Sequence, residues 1–70
     1  MNIVMPALPG QRVVANIDHL GLLRGSLQKL DYGTYLATIQ VDGISDRPLH
    51  ADIDGVALES TYDAMLLAGW

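Results

Sequence analysis

Apolar and polar residues alternate along most of this chain with the two-residue period of half-buried β-strands. The longest such stretch covers residues 22–42 and is interrupted by a turn at residues 31–33. We interpret it as a β-hairpin with a three-residue loop, in which Gly33 takes the left-handed conformation and Leu30 opposes Thr34. One face is then nearly all apolar, and a slip by one residue would mix the two faces.

The predicted register assigns each side chain of the hairpin to a face. It pairs Leu27 with Ala37 and Lys29 with Tyr35, so that the methylenes of Lys29 cover a core-facing Tyr35. Gly25, inside a strand, indicates a bend or a close approach of two backbones. The apolar positions on the core face are Leu23, Leu27, Ala37, Ile39 and Val41.

Shorter alternating runs precede and follow the hairpin. Residues 11–17 predict a first strand, residues 49–53 a fourth strand and residues 56–59 a short fifth strand. Turns are expected at residues 18–21 and at residues 54–55. The inward positions of the first and fourth strands are Val13, Ala15, Ile17, Leu49, Ala51 and Ile53.

The last segment predicts a helix over residues 61–69, for which either Ser60 or Thr61 is a suitable N-cap. Tryptophan, tyrosine and methionine are favoured at protein interfaces, so its apolar face is our candidate partner-binding site. The alternative is a helix that only covers one end of the sheet. The apolar residues of this face are Tyr62, Met65, Leu66 and Trp70.

Five short strands with tight turns and one helix predict a mainly β protein in a single small domain. We expect a five-stranded SH3-like barrel over residues 11–59 with a short C-terminal helix, since small sheets close to remove their edges. An α+β arrangement, in which one helix packs on an antiparallel sheet, is the alternative. Residues 1–10 contain Pro6 and Pro9 and are expected to form an extended arm.

The chain has 70 residues, no cysteine and a formal net charge of −4. A domain this small buries only about 60% of its unfolded surface, and no disulfide can stabilise it, so we expect a homo-oligomer or a complex with another protein. The acidic balance opposes binding to a phosphate backbone, so nucleic acid is not the expected partner. There is no apolar run near the ~20 residues of a membrane span and no pattern of a signal peptide, so we expect no membrane partner. The absence of cysteine fits a cytoplasmic protein, which is the expected location.

The strand positions also carry two short motifs. The first consists of Gly10-x-x-Val13, Ile17 and Arg24-Gly25-x-Leu27-x-x-Leu30-Asp31, and the second is Ile53-Asp54-Gly55-x-x-Leu58. In their spacing, these motifs resemble the two motifs of the Sm-like family, over residues 10–58. The resemblance implies a five-stranded SH3-like barrel, an assembly that can form a ring, and binding of RNA.

Two residues depart from the RNA-binding pattern of that family. Tyr35 stands where the family usually has an RNA-contacting Asn, and Asp54 stands where its second motif usually has Arg. A carboxylate cannot pair with phosphate or donate to a base as a guanidinium does, which weakens the expectation of RNA binding. The N-terminal helix of the family is also missing, because prolines interrupt that segment. Tyr32, at the loop tip, remains a candidate for stacking on a base.

Three residues near the fourth strand are candidate metal ligands. His50, Asp52 and Asp54 share one face and nearly open a calcium-binding loop. Such a loop needs an acid at its first position and Glu at its twelfth, where this chain has His50 and Thr61. A solvated strand face is therefore the favoured interpretation, and a divalent-metal-binding module is a further alternative.

The sequence shows no arrangement typical of a catalytic site. No serine lies in a nucleophile elbow, and His19, beside Asp18, is interpreted as a surface imidazole in a turn. We therefore expect neither enzymatic activity nor a cofactor. The leading hypothesis is a non-enzymatic, oligomeric protein-interaction or assembly module, and the alternative is an RNA-binding regulator of Sm-like type.

Overall fold

Five antiparallel strands form one sheet, and a single helix follows the last strand. The structure is a computed structural model, and it describes residues 7–44 and 46–69. The strand order is β4-β3-β2-β1-β5, and a short 3-10 helix at Ile53–Gly55 joins β4 to β5. The predicted mainly β fold with a C-terminal helix is confirmed. The elements are β1 (Arg12–Ile17), β2 (Gly21–Asp31), β3 (Leu36–Val41), β4 (Leu49–Asp52), β5 (Val56–Leu58) and α1 (Glu59–Leu67).

The sheet is curled but open. In the described part of the chain, β4 pairs with β3 alone and β5 pairs with β1 alone, so β4 and β5 are its two edges. The curl brings β4 close to β1, although two strands separate them in the sheet. The predicted five-stranded sheet is therefore present, but it is curled and open and is not a closed barrel.

The core lies on the concave face of the sheet and follows the predicted alternation. Every second residue of β1 and β3 is buried there, and Leu27, Ile39 and Val13 are its largest fully buried side chains. Leu23 and Leu49, also predicted to face inward, pack against the core while partly exposed. The buried core residues are Ala7, Val13, Ala15, Ile17, Leu27, Ala37, Ile39, Val41, Ala51 and Ile53.

The hairpin register differs from the predicted one. Leu27 pairs with Ile39 instead of Ala37, and a register shift between Leu27 and Lys29 then places Lys29 opposite Thr38. Such a bulge inserts one unpaired residue into a strand and turns the following side chains to the other face. Before the bulge, each residue of β2 pairs two positions further along β3 than predicted. A shift by two residues leaves the same side chains on the core face. Leu27, Ala37, Ile39 and Val41 are therefore buried as predicted, although their predicted partners are wrong. Leu30, predicted on the outer face, follows the bulge and packs against the core.

The hairpin loop is also longer than predicted, and its left-handed residue is a different one. The loop covers residues 32–35, and Tyr35 has a φ of 59° whereas Gly33 has no positive φ. Asp31 Oδ1 accepts hydrogen bonds from the backbone N–H groups of Gly33 and Thr34, at 2.9 and 3.3 Å, which closes the turn without a left-handed Gly33. Tyr35 is 46% exposed, so its predicted position in the core is wrong.

We expect the substitution Tyr35→Asn to stabilise the protein by roughly 0.5–1 kcal/mol, because asparagine adopts the left-handed region at lower cost than a bulky residue. Urea unfolding followed by circular dichroism measures the change. Tyr32→Asn is the matched control, because Tyr32 lies in the same loop without a positive φ. A loss of stability in Tyr35→Asn alone would mean that contacts of the Tyr35 ring outweigh its backbone strain.

The described end of the predicted N-terminal arm turns back on the sheet. Ala7 is buried, and the N–H of Gly10 donates to the Leu27 carbonyl oxygen at 2.7 Å. The N–H of Leu27 in turn donates to the carbonyl oxygen of Gln11 at 2.9 Å. Residues 7–11 are therefore tied to β2 and are not a free arm. Residues 1–6 of the predicted arm lie outside the described residues.

Candidate functional site

Helix α1 begins directly where β5 ends. Its first residue is Glu59 and its N-cap is Leu58, which makes no side-chain capping hydrogen bond. The predicted caps Ser60 and Thr61 lie instead inside the first turn. The early start is explained by Glu59, because an acid in the first turn suits the helix dipole and its carboxylate also reaches two arginines of the sheet.

Five charged side chains meet on the outer face of the sheet, which is the face opposite to the core. The Arg12 guanidinium binds both carboxylate oxygens of Asp42, at 2.8 and 2.5 Å, and also contacts Glu59 at 3.4 Å. Arg24 contacts Glu59 at 3.0 Å and Asp63 at 2.9 Å. We call these five residues the outer network. It joins α1 to strands that are far from it in sequence.

The outer network perturbs its own titration. Hydrogen bonds from Arg12 lower the pKa of Asp42, and hydrogen bonds from Arg12 and Arg24 lower the pKa of Glu59. The partner carboxylates in turn raise the pKa of both arginines. A carboxyl group with a lowered folded-state pKa stabilises the fold above its unfolded pKa of about 4 and loses that effect as pH falls through the folded value. All of these side chains are at least partly exposed to solvent, so added salt screens them.

Beneath the outer network lies one buried apolar residue. Val14 points away from the core, since its neighbours Val13 and Ala15 belong to it, and yet Val14 is buried. It pairs with Arg24 on β2 and with Ala57 on β5. The Arg24 guanidinium also lies 5.7 Å from the ring centroid of Tyr62, a cation–π distance. The ion pairs hold the first half of α1 against β1 and β2 on the face to which Val14 points.

The second half of α1 extends away from this support. Residues 59, 62, 63 and 66 share one helical face, and the first three are partly buried while Leu66 is 51% exposed. Met65 is 47% exposed and Leu67 is 91% exposed. No described residue of α1 is buried. We call Met65, Leu66 and Leu67 the helix tip.

The predicted partner-binding residues are thus divided by the structure. Met65 and Leu66 are exposed together at the helix tip, whereas Tyr62 is packed on Arg24, and Trp70 lies outside the described residues. Sequence reasoning missed Leu67 because it falls off the predicted apolar stripe of the helix. The signal available for it was the uninterrupted run Met65-Leu66-Leu67 at the end of a short helix.

The predicted metal ligands line a shallow cleft between the ends of β1 and β4. Its volume is about 240 Å³, and His50, Asp52 and Asp54 line it together with Asn16 and Asp18. Over residues 7–44 and 46–69, however, no three His, Asp or Glu side chains come close enough to hold a metal ion. The strand face is solvated, since His50, Asp52 and Asp54 are all exposed.

The remaining candidates lie in exposed turns. Tyr32, the candidate for base stacking, is 64% exposed in the hairpin loop, and Tyr35 is its exposed neighbour. His19 is exposed in the turn between β1 and β2, as predicted for a surface imidazole, and has a φ of 70°. These turns belong to segments of the chain that are distinct from the helix tip.

Comparison of the chain with protein-family models, with curated proteins and with solved structures finds no match. Over the described ranges, no helix has both the length and the apolar character that crossing a membrane requires.

Proposed function

We propose that the protein is a non-enzymatic interaction module that assembles, with itself or with another protein, through the helix tip. The observation that carries this proposal is the exposure of Met65, Leu66 and Leu67 on a helix with no buried residue among those described. Adjacent exposed apolar side chains are typical of binding surfaces, and methionine is enriched at interfaces.

The size and openness of the sheet support the same proposal. A chain of 70 residues without cysteine gains stability by association, and an open sheet has two edges whose backbone groups can accept a further strand. We also propose the Sm-like fold family suggested by the two sequence motifs. A curled five-stranded sheet with a close backbone approach at Gly25 supports that relationship.

Sedimentation at micromolar concentration tests the proposal. We expect the protein to be oligomeric and the variant Leu66→Ser/Leu67→Ser to be monomeric with an unchanged circular dichroism spectrum, because these side chains contribute no core contacts. Leu8→Ser/Leu20→Ser is the matched control, since it removes two similarly exposed leucines outside α1 and should leave assembly intact. The proposal would be contradicted if the wild-type protein is a monomer and the variant Leu66→Ser/Leu67→Ser captures the same proteins from a lysate as the wild type does.

RNA binding is a second candidate function, supported by the two exposed tyrosines of the hairpin loop. Aromatic side chains stack on bases without sequence preference. Against it, Arg12 and Arg24 are already paired with the acids of the outer network. Titration with uridine-rich and adenine-rich RNA at low salt separates the two functions. Binding that is lost in Tyr32→Ala would favour RNA, and no binding would remove this candidate.

A further inference from the structure

Helix α1 is attached to the sheet through charged and aromatic contacts and not through buried apolar side chains. None of its described residues is buried, so it lacks the apolar anchor by which most helices dock. Nine residues are also too few for a helix to persist alone in water. Its order therefore depends on the ion pairs and the tyrosine contact that join its first half to β1 and β2.

The two arginines of the outer network do not contribute equally to this attachment. Arg12 binds both carboxylate oxygens of Asp42, which directly follows β3 and does not belong to the helix. Both acidic partners of Arg24, Glu59 and Asp63, belong to α1, as does the Tyr62 ring beneath its guanidinium. Arg24 thus makes most of the contacts by which the sheet holds the helix, and Arg12 adds its longer contact to Glu59.

We propose that α1 is a latch, a helix that docks on and leaves the outer face of the sheet as a unit while the sheet remains folded. The closing element is the contact of Arg24 with Glu59, Tyr62 and Asp63. Because these charges face solvent, ionic strength sets the balance between the closed and the open state. When the latch opens, α1 unfolds and Val14 becomes exposed. Arg24, which lies beside Val14, then no longer contacts Glu59 and Asp63.

The separation between the latch and the core explains how α1 can open alone. The core residues lie on the concave face, and Val14 is the one buried apolar residue of the described chain outside that cluster. Loss of α1 therefore exposes little of the surface that holds the sheet together. Local opening of this kind is expected where few buried contacts tie an element to the rest of the fold.

Amide hydrogen exchange of the full chain, followed by NMR, tests the latch. Salt is raised from about 0.01 M to about 1 M, which shortens the Debye length from about 30 Å to about 3 Å. We expect the amides of residues 63–67 to lose protection several-fold while those of β1–β3 keep theirs. Arg24→Gln should show the same selective loss already at low salt. Lys29→Gln, which removes one exposed positive charge from the same strand, is the matched control and should behave as the wild type.

Two results would overturn the latch. The first is a common loss of protection in α1 and the sheet, which would make the helix an inseparable part of the fold. The second is protection of α1 that neither salt nor Arg24→Gln reduces. Repeating the experiment on Leu66→Ser/Leu67→Ser keeps the latch separate from assembly, because the Arg24 contacts lie outside the helix tip.

Discussion

Replacing Gly25 with alanine is expected to lower the free energy of unfolding by about 3 kcal/mol. A Cβ atom at this position would lie 2.9 Å from the Cα of Val41 and closer still to the carbonyl oxygen of Gln40. Both obstacles are backbone atoms of β3, so no side chain can move aside to make room. Relief requires β2 and β3 to separate at the Gly25–Val41 pair, which weakens the pairing at the centre of the sheet.

Urea unfolding monitored by circular dichroism measures this effect. Gly55→Ala is the matched control, because a Cβ there would meet only the Cβ and carbonyl oxygen of Asn16, at 3.7 and 3.9 Å, and Gly55 has no positive φ. We expect that variant to stay within about 0.5 kcal/mol of the wild type. Equal effects of the two substitutions would show that the close backbone approach at Gly25 does not determine the cost of an added Cβ.

The strands could be predicted from the sequence because each one is recorded locally, as an alternation of apolar and polar residues. The role of Gly25 could be predicted in the same way, since a glycine inside a strand commonly marks a bend or a close backbone approach. The bulge near Lys29 could not be predicted, because the apolar pattern of one strand does not show which residue of the opposite strand it pairs with. The left-handed Tyr35 was missed for a related reason, since the turn depends on the Asp31 carboxylate and not on the loop glycine.

The outer network was beyond sequence reasoning because its members are distant along the chain. Arg12 and Glu59 are separated by 47 positions, and only the strand order places them together. One signal was nonetheless present. Asp63 lies on the predicted helix and Glu59 four residues before it, at the end of the predicted fifth strand. Two of the four cations, Arg12 and Arg24, occupy outward positions of predicted strands.

The geometry of α1 places two different roles on one short helix. Its first half holds charges that attach it to the sheet, and its second half presents apolar side chains to solvent. Because neither half contributes to the core, substitutions at the helix tip or at Arg24 should change assembly or helix order with little effect on the folding of the sheet. Core substitutions should do the opposite, and this contrast makes the functional tests interpretable.

The core substitution Leu27→Ala provides that contrast, and we expect it to cost about 3 kcal/mol. Leu27 is 1% exposed, lies opposite Ile39 and holds residues Gly10 and Gln11 through its backbone. Removing its side chain leaves a cavity on the concave face that the paired strands cannot collapse to fill. A domain of 70 residues has a stability of only about 4–10 kcal/mol, so the loss is a large fraction of the total.

Leu22→Ala is the matched control, because Leu22 lies on the same strand but is exposed, and we expect a change within about 0.5 kcal/mol. If Leu27→Ala does not fold, Ile39→Val deletes one methylene from the same contact and should cost about 1 kcal/mol. Urea unfolding measures all three variants. A similar loss in Leu22→Ala and Leu27→Ala would mean that the outer surface of β2 is covered in solution, and the partner would then be sought on that strand rather than at the helix tip.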